Sequence, residues 1–115
     1  MAVLAQEVTS VTCVAKSAIG ASEYFLLYGM GSDFEENAYH VWFDVNSGDS
    51  EPSGLSSTGI EVDISADTNA TQVASRATTA ITAQTDFSAI SSSEVITITN
   101  AVRGTVTDAA DGNIG

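Results

Sequence analysis

The heptad Tyr39-His40-Val41-Trp42-Phe43-Asp44-Val45 alternates between two faces. Tyr39, Val41, Phe43 and Val45 share one side and His40, Trp42 and Asp44 the other, which is the two-residue period of a β-strand. Moving outward along the chain, Ile60, Val62 and Ile64 alternate with Glu61 and Asp63. That pattern suits a sheet packed on one face and wetted on the other. Tyr24-Phe25-Leu26-Leu27-Tyr28 is apolar on both faces and reads as a central strand. Val8–Val14 and Glu94–Thr99 are rich in β-branched residues, and a weaker strand is expected at Asp86–Ile90.

One segment changes period. Ala70, Val73, Ala74, Ala77, Ala80 and Ile81 fall on a single helical stripe. Asn69 stands where an N-cap belongs and Gln72 where its capping-box partner would be. Asp67 adds negative charge near the helix N-terminus, where the helix dipole favours it. The small alanine side chains would let such a helix lie close to a sheet. The fold class expected is therefore α+β: a mainly antiparallel sheet of five to six strands with one Ala-rich helix packed on one face. Residues 1–115 read as a single domain, or as the N-terminal portion of a longer chain.

Between these elements, 29–38 forms a polar acidic loop. The stretch 46–58 is longer, with Gly48, Pro52, Gly54 and five serines. Loops beyond about 12 residues in a small domain are usually functional or mobile. The tail Asp108-Ala109-Ala110-Asp111-Gly112-Asn113-Ile114-Gly115 reads as a turn.

Charge excludes some partners. Fifteen acidic residues against three basic ones give a formal net charge of −12. Lys16, Arg76 and Arg103 are too few and too dispersed for a phosphate-binding footprint, so nucleic acid is not expected as a partner, nor is an anionic membrane surface. No apolar run approaches the roughly 18 residues of a membrane span, and the first residues lack the basic flank of a secretory signal. With 43% hydrophobic residues the chain can build a core, although 16 of those residues are alanine. Cys13, the sole cysteine, reads as a small buried strand residue. A soluble product made in a reducing cytoplasm is the expectation.

The chemistry-bearing residues are sparse. His40 is the sole histidine, and no Gly-x-Ser-x-Gly elbow accompanies it. One cysteine and one histidine cannot close a structural zinc site. Asp44-Val45-Asn46-Ser47-Gly48-Asp49-Ser50-Glu51 places several oxygen ligands close together, as calcium requires, but Gly48 and Asp49 are reversed relative to an EF-hand loop and Leu55 stands where its final glutamate would be. Asp108, Asp111 and Asn113 form a second, incomplete cluster. Turn chemistry accounts for both. Neither glycine-rich phosphate cradle is present, and nothing sets two carboxylates across a cleft. A non-enzyme without cofactor is expected, with calcium the one ion worth testing.

In order, Tyr24–Tyr28, Tyr39–Val45, Pro52, Gly59-Ile60-Glu61-Val62, the Ala-rich helix, Thr99-Asn100, Gly104 and Thr107–Asn113 resemble a recurrent structural module of tailed-bacteriophage virion proteins. The resemblance spans residues 8–115. It implies a non-enzymatic tail, fibre or capsid-decoration component located in the virion, assembled in the host cytoplasm, with itself and other virion proteins as partners. In sequences of this type an apolar strand commonly follows the Asp-Gly-Asn turn, and Arg103 replaces an expected small residue. An exposed sheet edge would then invite pairing with another chain. The interface expected from these readings comprises His40, Trp42, Asp44 and Ile114. The rival reading is a carbohydrate-binding or host-surface adhesion module using the 46–58 loop and nearby aromatics; a small hydrolase depending on His40 is a third.

Overall fold

Alternating side chains produce strands wherever the sequence has period two, and the computed structural model, which describes residues 6–112 apart from Ser32 and Thr105, places them in two layers. The strands are β1 (Val8–Thr12), β2 (Tyr24–Met30), β3 (Glu36–Asp44), β4 (Thr58–Asp63), β5 (Phe87–Ser92), β6 (Val95–Asn100) and the two-residue β7 (Ala110–Asp111). A single α-helix, α1 (Ala70–Thr82), separates β4 from β5. The α+β class and the lone helix agree with the sequence. Asn69 caps α1 as expected: its side chain accepts from the Gln72 amide at 2.9 Å, and Gln72 Oε1 accepts from the Asn69 amide at 3.2 Å. Asp67 receives the Arg76 guanidinium at 3.1 and 3.3 Å, fixing the entry to the helix.

The single sheet is corrected. The strands divide into a three-stranded sheet, β1-β6-β5, and a four-stranded sheet, β4-β3-β2-β7. The physical reason is that alternation fixes which side chains face inward but not which strand lies alongside. The β5–β6 hairpin turns at Ser93, whose φ of 53° matches the tight reversal, and recruits β1 rather than β4. Both sheets turn their apolar sides inward. Phe25 and Leu27 of β2, Val41 and Phe43 of β3, Ile60 and Val62 of β4, and Ile96 and Ile98 of β6 share one core with the apolar stripe of α1. The helix packs against β5, β4 and β6.

Polar ties join the layers. Tyr39 Oη donates to Asp86 Oδ2 at 2.7 Å while the Tyr39 ring meets Phe87 edge-on at 5.2 Å. Burial, and then the adjacent Asp86 carboxylate, push the Tyr39 phenol up to about 12. The Asn100 side-chain amide donates to the Tyr28 carbonyl at 3.3 Å.

The pairing is mainly antiparallel, as expected, with one exception. β3 and β4 pair in parallel, from Tyr39 opposite Thr58 to Asp44 opposite Asp63. A parallel pair needs a crossover, and most crossovers contain a helix. Here the irregular segment 45–57 must carry the chain back along β3 from Asp44 to Tyr39. That return path decides what happens to the outer face.

Candidate functional site

His40, Trp42 and Asp44 lie on the face of β3 opposite the core, as the alternation requires. They do not form an open surface. The returning segment binds over this face, leaving His40 2%, Trp42 5% and Asp44 3% exposed. His40 Nδ1 lies 2.8 Å from Ser57 Oγ and Nε2 lies 2.7 Å from Glu51 Oε2, so both ring nitrogens hold the segment down. Tyr24 packs edge-on against the same imidazole, with ring centroids 6.2 Å apart. A side chain at Gly59 would collide with Glu51 and His40, which is why the smallest residue stands there. His40 and Asp44 are thus held by the following segment of their own chain, and Trp42, expected at the same interface, is buried as well. Ile114, the fourth, lies outside the described residues.

Ser57, His40 and Glu51 are the residue types of a hydrolase triad, and they lie within hydrogen-bond distance in that order, at 2.8 and 2.7 Å. The imidazole is almost wholly enclosed, and each of its partners belongs to the segment that it restrains. Trp42, at 5% exposed, presents no open ring face on which a sugar could stack.

Asp44 anchors the other end. Its carboxylate accepts from the Gly48 amide at 3.0 Å and the Asp49 amide at 3.1 Å. Ser47 and Gly48 take positive φ of 59° and 135°, the tight bend that Asn, Asp and Gly commonly serve. Asp49 in turn accepts from the amides of Val45 and Asn46. The sequence Asp44–Glu51 is therefore a self-satisfied turn, as its departures from an EF-hand suggested.

Parallel pairing brings Glu61 and Asp63 beside Asp44, and the three offer carboxylate oxygens within 4.8 Å of one another. These are the described residues that could hold a cation. Desolvation, followed by the hydrogen bond to and charge of Asp44, raises the Glu61 pKa. Hydrogen bonds from Ser65 lower that of Asp63. Ionising Glu61 thus opposes folding and ionising Asp63 favours it.

The basic residues are engaged singly: Arg76 with Asp67, and Lys16 through its ammonium with the Ser65 carbonyl at 2.6 Å. No cationic stripe arises from them. Among the described residues no helix is long and apolar enough to cross a membrane.

The feature that the sequence did not reveal is a groove of about 500 Å³ between β1 and the four-stranded sheet. Thr9, Val11 and Cys13 line it from β1 and its continuation, opposite Phe25 and Phe43. None of the lining residues is charged. Burial pushes the Cys13 thiol up to about 11, so it is a poor nucleophile, in keeping with the structural role expected of it. The signal was present but weak: in Val8–Val14 hydroxyl and apolar residues occur on both faces, so alternation did not say which face was inward.

Comparison with protein-family models, with curated proteins and with solved structures finds no match to this chain.

Proposed function

We propose that the chain is a non-enzymatic building block of a bacteriophage virion, a tail, fibre or capsid-decoration component, that assembles through its sheet edges. The observation that carries this reading is the edge strand β1, which pairs only with β6 among the described residues and borders the uncharged groove. Unpaired edges of this kind accept a strand from another chain. Val8 of β1 and Ile90 of β5 are 57% and 72% exposed, and Phe34 in the β2–β3 turn is 70% exposed, so apolar contact points lie on the surface while Trp42 does not. The ordered resemblance to tailed-phage modules supplies the virion.

The role needs no cofactor, nucleic acid or membrane. Partners are further copies and other virion proteins, met in the host cytoplasm during particle assembly. With each copy at −12, contacts rely on backbone hydrogen bonds and apolar burial, and acidic loops face outward. Quantitative mass spectrometry of particles purified from a phage carrying this gene tests the reading. Many copies per particle, retained through density-gradient banding, are expected; particles devoid of the chain would refute it.

A further inference from the structure

Among the described residues, the backbone of β1 is bonded to a strand on one side only. The Glu7 carbonyl accepts from the Asn100 amide at 2.9 Å, and the Cys13 amide donates to the Glu94 carbonyl at 2.8 Å. In an antiparallel ladder such bonded residues recur every second position. The odd-numbered residues of β1 therefore bond to β6, and Val8, Ser10 and Thr12 direct their amides and carbonyls away from it. This row runs along the groove whose inner wall is Thr9, Val11 and Cys13 and whose far wall is Phe25 and Phe43. The site offers main-chain hydrogen bonds on one side and an uncharged trough on the other.

We propose that this groove receives residues 1–5 of a second copy of the chain as an added strand alongside β1. The inference rests on the assembly reading and gives it a specific contact. Three observations select this occupant. The segment Met-Ala-Val-Leu-Ala has no ionisable side chain, in a protein with 15 acidic and three basic residues, and so matches a groove with no charged lining. Its apolar side chains, Val3 and Leu4 among them, also match the Phe25 and Phe43 wall of the groove.

Connectivity provides the third observation, because it disfavours insertion into the segment's own groove. The Gln6 side chain donates to the Ala101 carbonyl at 3.3 Å, and Glu7 is already bonded to β6. Turning back along β1 would require a reversal of about two residues, as in a hairpin turn. A neighbouring copy can bring its segment in without reversal. The added backbone bonds and apolar contacts then offset the repulsion between acidic subunits.

The test uses the full chain, in which Cys13 is the sole cysteine and lines the groove. Val3→Cys and Leu4→Cys are made separately, oxidised with copper-phenanthroline and run on non-reducing gels, each also in a Cys13→Ser background. Because neighbouring strand residues face opposite ways, one of the two variants should yield a doubled-mass species that needs Cys13 and the other should not. Deleting residues 1–5 should return the light-scattering mass from at least twice the monomer value to the monomer value, with cooperative unfolding retained. Undiminished association after the deletion would overturn the arm while leaving the assembly reading standing. A single-mass disulfide to Cys13 would show own-chain insertion and overturn the second-copy occupant. A full chain that is monomeric would remove both.

Discussion

Ile96→Ala is expected to lower the unfolding free energy by about 2–5 kcal/mol, a large fraction of the roughly 5–15 kcal/mol that holds a domain of this size together. Ile96 is 0% exposed and lies in β6, the central strand that bonds both β1 and β5. Removing its branched side chain opens a cavity where the two sheets and α1 meet, and rigid neighbours on every side limit collapse. Ile96→Val removes a single methylene and should cost about 0.5–1.5 kcal/mol. Urea titration followed by circular dichroism measures both. An alanine variant as stable as the parent would mean that the three-stranded sheet is not packed on the core as described.

Asp44→Ala should have the second largest effect, about 2–3 kcal/mol, since hydrogen bonds to a charged group are worth about 1.5–3 kcal/mol each and two amides lose their acceptor. The loss is tempered because Asp44 also repels Glu61 and Asp63, and because the freed amides lie close enough to the surface to be rehydrated. Asp44→Asn keeps an acceptor oxygen and loses the repulsion, so its cost should stay near 1 kcal/mol. The effect should also be local. With its anchor gone, the 46–58 segment should be cut by a nonspecific protease much faster than in the parent, as freed loops are. Proteolysis mapped by mass spectrometry checks this; unchanged cleavage together with unchanged stability would refute the anchoring role.

How much of this was legible beforehand divides along a physical line. Local periodicity revealed what local periodicity controls. The strands around Tyr39–Val45 and Ile60–Ile64, the stripe of α1 and the Asn69–Gln72 capping box all follow from spacing within a few residues. Pairing is a long-range property. Nothing in the alternation of Ile60, Val62 and Ile64 distinguishes a parallel from an antiparallel neighbour, so the single, mainly antiparallel sheet proves to be two sheets, still mainly antiparallel, with one parallel pair. The error propagated to the site. Once β3 and β4 run in the same direction, 46–58 has to return over His40, Trp42 and Asp44, and residues that read as a polar outer face become its footing. His40 ties that segment down through Ser57 and Glu51. Conversely, β1 looked the least patterned strand and borders the one long uncharged trough described here.

The central claim is that β1 is an edge made to be completed by another chain. Static light scattering of the purified chain over a range of concentrations, compared with Ser10→Pro, tests it most directly. Proline at position 10 removes an outward amide without removing a bond to β6, a position where edge strands tolerate it. The account predicts concentration-dependent association, stronger at physiological than at low salt as repulsion is screened, and weakened at least about tenfold (about 1.4 kcal/mol) by Ser10→Pro with cooperative unfolding retained. A chain that stays at 11.8 kDa at every concentration, or one whose association ignores the proline, would contradict it.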